Sequence, residues 1–307
     1  MKTICANLWS ISAVLVITSC SVADSRKPEK TSVVSDSLNC VDCRFNYKWM
    51  EETKWDEHST VCSRFPEPEG YTRIKDTAAS FGQWLRGLPL LPEGTEVHLY
   101  NGALKLNQGA QAAVIDIDVG TSDLQQCADA VMRLRAEYLF ATKQYDKISF
   151  NYTSGDKQDY ARWVKGRRIA VTGNHTKEVW NGTKYDVNDH AALMKYMTDV
   201  FSYCGTLSLS RDLHKIAVDS IQPGDVFIHG GTPGHAEIVI DVAVNKDGKK
   251  MFMLAQSYMP AQQIHILRNP NAPSSSSGSG DPWYSTDFGN TLVTPEYDFD
   301  RAELMRW

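Results

Sequence analysis

The chain has 307 residues, 42% of them hydrophobic, with 32 Lys and Arg against 37 Asp and Glu for a formal net charge of −5. Such a length supports a sizeable core in one or two domains. The acidic balance argues against nucleic acid as a partner.

The first residues carry Lys2 and then an apolar run from Leu8 to Ile17. This reads as a signal peptide over residues 1–19, because the run is shorter than the ~18 apolar residues a spanning helix needs. Its end, Ile17-Thr18-Ser19-Cys20, resembles the lipobox of bacterial lipoproteins. That resemblance implies lipidation at Cys20 and a membrane partner through the N-terminal lipid, and the following stretch, rich in Ser, Lys, Asp and Val without periodicity, reads as a flexible tether over residues 20–39. The body, residues 40–307, is then expected as one α+β domain in the cell envelope, anchored to the outer membrane on its periplasmic or surface face. Beyond Cys5 and Cys20 the cysteines are Cys40, Cys43, Cys62, Cys127 and Cys204. An oxidising compartment permits disulfides, and an odd number leaves a free thiol. Cys40 and Cys43 have the spacing of a redox or metal pair, but no second pair completes a zinc site. A local structural disulfide involving Cys62 is the simpler reading.

Along the body, Phe81 to Leu91 reads as a helix followed by a loop ended by Pro92 and Gly94. Glu96 to Leu106 reads as a hairpin with a type I′ turn at Asn101-Gly102. Ala113 to Val119 alternates apolar residues with Asp116 and Asp118, the pattern of a half-buried strand. Gly120 to Asp123 ends that strand and offers N-caps, with Gln125 or Gln126 closing a capping box. The helix that follows carries Cys127, Val131, Leu134, Tyr138 and Ala141 on one apolar stripe. A strand at Ile148 to Tyr152 comes next, then an insertion at about 153–205 holding a helix from Asp189 to Tyr203. Pro223-Gly224 opens a strand-like run from Asp225 to Gly231, and His235 to Val244 alternates, with His235, Glu237, Val239 and Asp241 on one face. A turn at Asn245 to Gly248 pairs the second of these with Met251 to Tyr258, antiparallel. That register sets His235 opposite residue 258 and Gln256 within diagonal reach.

Nucleophilic thiol chemistry needs a thiolate, a neighbouring imidazole, a polar group to orient it, and donors for an oxyanion. Cys127 lies near a helix N-terminus, where the dipole favours an anion. Cys204 stands at the other end of its helix and reads as a buried apolar cysteine. His235 on a polar strand face is the candidate base, Gln256 its orienter, and Gln126 and Gln125 the oxyanion donors. His229 and Tyr258 are further candidates to share the site.

The Gln-Gln-Cys helix followed by Gly-Asp-Val-Phe-Ile-His-Gly-Gly-Thr-Pro-Gly-His and then strand sequence resembles the papain-like NlpC and CHAP types of cell-wall cysteine hydrolase. The resemblance implies a papain-like core with a Cys-bearing helix on an antiparallel sheet, and amide or peptide cleavage in a peptidoglycan stem. It also implies catalysis by Cys127, His235 and Gln256, with no metal and no cofactor. The chain departs from that pattern in the long Cys-to-His separation and the absent Asp-Cys or Cys-Trp neighbours. The whole mature chain separately resembles an uncharacterised family of envelope lipoproteins, domain of unknown function 4846. The rival reading is a non-catalytic lipoprotein that binds a wall fragment, a glycan or a protein. A third is an acid/base site at Asp116 and Asp118, although a polar sheet face explains their spacing as well. Arg133, Arg135 and Glu137 have the spacing of a solvated helix face. Trp163, Trp180, Trp283 and Tyr284, in loop-like sequence, either line a groove or pack inside.

Overall fold

The computed structural model describes residues 45, 47–50, 54–272 and 280–307. The expected signal segment, Cys20, the expected tether, Cys40, Cys43 and residues 273–279 lie outside these residues. Asn39–Trp307 forms one compact unit. Its helices are α1 (Val61–Arg64), α2 (Phe81–Arg86), α3 (Cys127–Ala141), α4 (Tyr160–Trp163), α5 (His190–Tyr203) and α6 (Thr206–Asp212). Its first strands are β1 (Tyr71–Arg73), β2 (Gln111–Val114), β3 (Ser149–Asn151), β4 (Lys157–Asp159), β5 (Arg168–Thr172), β6 (His175–Val179) and β7 (His214–Lys215). Then follow β8 (Val226–His229), β9 (His235–Asn245), β10 (Lys250–Gln256), β11 (His265–Leu267), β12 (Tyr284–Ser285), β13 (Thr291–Val293), β14 (Asp298–Asp300) and β15 (Leu304–Arg306).

The architecture is mixed α+β around a large antiparallel sheet ordered β2-β11-β10-β9-β8-β15-β7, with β1 added to β9 and β12 to β10. The pairs β3-β4, β5-β6 and β13-β14 stand apart from it. One face of the sheet packs on the helices: Ile228, Ala236, Ile238, Met253 and Ile266 share a core with Val131, Leu134 and Met197. The other face, with Phe227, Val239, Val242, Phe252 and Leu254, is covered by Tyr284, Leu292 and Phe299 from the C-terminal segment. Both faces are therefore dry, which is why β9 and β10 are nearly continuous apolar runs.

Local chemistry accounts for the helices that frame the site. Ser80 Oγ accepts the Gln83 N–H at the start of α2, and Asp189 Oδ1 accepts the Ala191 N–H at the start of α5. Leu193, Tyr196, Met197 and Val200 form the buried stripe of α5. That helix ends at Cys204 before Gly205, as its sequence predicts.

The β9-β10 ladder runs from Lys250↔Val244 to Met253↔Asp241, then shifts to Leu254↔Val239 and Ala255↔Ile238. Ile240 is the extra residue of a bulge. Beyond the bulge the register is the one expected from the turn, and extending it by three residues sets His235 opposite Tyr258. The bulge also corrects the expected face. His235 and Glu237 stay with Val239, whereas Asp241 moves to the helix side. There it lies between Arg73 Nε at 2.5 Å and Arg86 Nε at 2.6 Å.

Other expectations are corrected too. The Glu96–Leu106 hairpin has only an isolated bridge, His98↔Leu104, and no type I′ turn. The Gly102 N–H bonds to the Leu99 carbonyl and the Leu99 N–H to the Ala103 carbonyl, so residues 100–102 form a three-residue loop with Gly102 at φ 82. The half-buried strand is instead β2, displaced to Gln111–Val114 and buried at every position, because β11 and the helix layer enclose it. Arg133 and Glu137 do not form a solvated face: each is 1% exposed. Of the loop aromatics, Trp163, Trp283 and Tyr284 are buried and Trp180 is exposed.

Candidate functional site at the N-terminus of α3

The helix starts later than the sequence suggests, so Cys127 is its first residue. The expected box at Ser122 or Asp123 is replaced by Gln126 as N-cap, whose backbone N–H is taken by Asp129 Oδ2 at 3.1 Å. The turn before the cysteine is pinned to the segment after β10. Ser257 Oγ donates to the Gln125 carbonyl at 2.9 Å, and Asp123 Oδ1 accepts the Ala261 N–H at 2.7 Å. These two ties bring the α3 terminus to the end of β10, where Gln256 lies.

Cys127 lines a cavity of about 260 Å³, together with Gln126, Asp129, Cys204, Thr206, Gly231, Pro233, Gly234 and Met259. The Gly231–Gly234 wall is held against the start of α6, where Thr206 Oγ1 and Gly231 exchange hydrogen bonds. A Cβ on Gly234 would come within 2.4 Å of Thr206 Oγ1 and 2.5 Å of the Gly231 carbonyl, so only glycine permits this approach.

His235 and Gln256 stand next to Cys127 but inside the protein, each 1% exposed. His235 Nε2 bonds to Gln256 Oε1 at 2.6 Å and lies 3.6 Å from Glu237 Oε1. Cys127 is near enough to His235 to act on its titration. With Nε2 engaged by Gln256, Nδ1 is the ring nitrogen left for another partner. Tyr258, Tyr297 and Phe299 surround the imidazole, with ring centroids 4.9, 5.0 and 6.0 Å away. Burial pulls the imidazole pKa down, but its interactions with Cys127 and Glu237 more than offset this and raise it to about 10. Glu237 is fully buried; burial pushes its carboxyl up, against the His235 and Thr294 hydrogen bonds. Its Oε2 makes no hydrogen bond among the described residues.

The other sequence candidates are less close. Gln125 turns inward, its Oε1 taking Arg133 Nη1 at 3.0 Å, and it does not line the cavity. His229 is the cross-strand neighbour of His235, yet its Nδ1 is 2.5 Å from Glu303 Oε1 and its ring is half-exposed. Asp118 is exposed on the far side of Arg133. Glu237 is the site residue that the sequence reading left without a role, although its position two residues after His235 puts it on the same face.

Cys62 is disulfide-bonded, and Cys127 and Cys204 are free. Cys204 caps α5 and lines the same cavity as Cys127. Burial pushes its thiol up, and Asp129 and Asp212 add to the effect. Among the described residues, no group of three or more His, Cys, Asp or Glu could hold a metal ion, and no helix is long and apolar enough to cross a membrane.

The family model described as Domain of unknown function (4846) matches residues 61–306. The chain belongs to this family. No curated protein and no solved structure matches it. The matched span contains Cys127, His235, Gln256 and Glu237, so the site lies within the family's domain. The family's description assigns no activity, which leaves the chemistry of these side chains to define the function.

Proposed function

We propose that this chain is a lipid-anchored cysteine hydrolase with a papain-like core, cleaving an amide bond of a peptide or of a peptidoglycan stem. The observation that carries this reading is the placement of Cys127, at the first residue of a helix and on a cavity wall, next to a His235 whose Nε2 is bonded to Gln256. In the cycle, Cys127 Sγ attacks the carbonyl carbon and the carbonyl oxygen takes the electron pair. The Cys127 N–H, which has no acceptor within its helix, and the Gln126 amide are the donors for that oxyanion. His235 Nδ1 passes its proton to the departing amine as the C–N bond breaks, leaving a thioester. His235 then takes a proton from water, hydroxide displaces the thiolate, and an acid is released. Lipid at Cys20 would hold this site at the cell envelope, against the wall.

The near-complete burial of His235, beside a Cys127 only 6% exposed, favours the second reading, a lipoprotein that binds a wall fragment without cleaving it. Incubating the mature protein with purified peptidoglycan and synthetic stem peptides separates the two. Mass spectrometry should find a new free amine that Cys127→Ala and His235→Ala both abolish. Binding without cleavage supports the second reading and overturns the first.

A further inference from the structure

Gln256 is gripped on the side away from His235. Its Nε2 donates to Glu296 Oε2 at 2.6 Å and lies 3.4 Å from His265 Nε2. His265 engages the Gln263 carbonyl through Nδ1 at 2.9 Å, which puts its proton on Nδ1 and leaves Nε2 as an acceptor. His265 is fully buried and stays neutral, because burial, reinforced by the charge of Lys105, pulls its pKa down to about 3. Lys105, itself buried, holds Glu296 Oε2 at 2.6 Å from the other side. Both amide hydrogens of Gln256 therefore have acceptors. Inverting the amide would set its oxygen against a carboxylate and against a ring lone pair. Only Oε1 remains for His235, and at 2.6 Å from Nε2 that oxygen requires a proton on Nε2.

We propose that Glu296 is a positioning residue: by fixing the Gln256 amide, it keeps a proton on His235 Nε2, so that Nδ1 is the nitrogen that exchanges protons with Cys127. The catalytic consequence rests on the hydrolase reading, whereas the tautomer does not. A literal proton relay is not involved; Glu296, Gln256 and the Nε2 proton hold their places while the Nδ1 proton moves. Lys105, Gln256, His265 and Glu296 come from four separate segments of chain, so this arrangement is a product of the tertiary fold.

Imidazole 15N shifts of Cys127→Ala protein, recorded where His235 is neutral, test the tautomer directly. Nε2 should resonate as a protonated nitrogen and Nδ1 as an unprotonated one. In the same background, replacing the ion pair by Lys105→Met with Glu296→Met should give a mixture of tautomers. The near-isosteric Glu296→Gln, which lets the amide invert, should do the same if the double variant does not fold. With Cys127 restored, the double variant should alkylate with iodoacetamide about tenfold to a hundredfold more slowly near neutral pH, with a shifted pH profile, and Glu296→Asp should recover part of the loss. A dominant Nδ1–H form in the Cys127→Ala protein, or an Nε2–H form unchanged by loss of Glu296, overturns the proposal. Should Cys127 of the unaltered protein label no faster than an ordinary thiol, the hydrolase reading fails, and the 15N result still decides the role of Glu296.

Discussion

Replacing Arg133 by Met should destabilise the fold by about 3–5 kcal/mol at neutral pH, because it takes the guanidinium from a buried carboxylate and leaves it His190 alone among the described residues. Arg133 Nε is 2.8 Å from Glu137 Oε1, one helical turn on, and Glu137 has a side-chain exposure of 0%. On a solvated helix the same spacing would contribute only about 0.3–0.5 kcal/mol. Here burial pushes the Glu137 carboxyl up, and Arg133 together with His190, whose Nε2 is 2.8 Å away, more than offsets this and holds it below 4.5. A depressed carboxyl adds stability that is present above its unfolded value and is lost as pH falls through its folded value. Without Arg133, burial has one fewer opponent and the sign reverses. The variant's deficit should then shrink as pH falls from 7 towards 5, because protonating Glu137 relieves it. Urea unfolding followed by tryptophan fluorescence, at both pH values and without reductant, measures the deficit. A loss under about 1 kcal/mol, with no dependence on pH, would mean that the pair behaves as an exposed one and would refute the reasoning.

Asp129 should respond oppositely. Burial pushes its carboxyl up to about 8, only partly countered by the Gln126 N–H. The folded chain therefore keeps a proton that the unfolded chain releases above 3.8, and ionisation weakens the fold progressively as pH rises towards 8. Asp129→Asn should raise the urea midpoint more at about pH 9 than at about pH 5, and equal shifts at both would count against a buried acid. Gly234→Ala should lower stability and disturb the cavity wall, since its Cβ meets backbone and Thr206 at under 3 Å. An unchanged melting temperature would show that the wall yields freely. Asp241→Asn should cost several kcal/mol, as Arg86 would be left with the Ile74 carbonyl as its remaining partner among the described residues. A loss in the range of a surface substitution would indicate that the two guanidiniums do not depend on the carboxylate.

The parts of this fold that were legible in the sequence are those written in local patterns. The α3 stripe, the capped α5, the β8 and β9 strands, and the turn that sets Gln256 near His235 all follow from spacing and turn chemistry. What escaped is tertiary. Arg133 and Glu137 look solvated by residue type, and only the packing of α5, with His190 on Glu137, shows otherwise. The bulge at Ile240 has no signal in an alternating apolar run, yet it carries Asp241 across the sheet to Arg73 and Arg86. Glu296, His265 and Lys105 lie far along the chain from Gln256, and no motif joins them to it. The start of α3 is not legible because Asp123 is a good cap by type, whereas its carboxylate is occupied by the Ala261 N–H.

The most direct measurement is the alkylation rate of the individual thiols, read by peptide mapping after brief iodoacetamide treatment of the protein across pH. Cys127 should react fast near neutral pH, well ahead of Cys204, whose thiol is pushed up by burial in the same cavity. His235→Ala should slow Cys127 by about a hundredfold or more while Cys204 is unaffected. A Cys127 that reacts no faster than Cys204, or whose rate is the same without His235, would contradict a catalytic thiol at the head of α3.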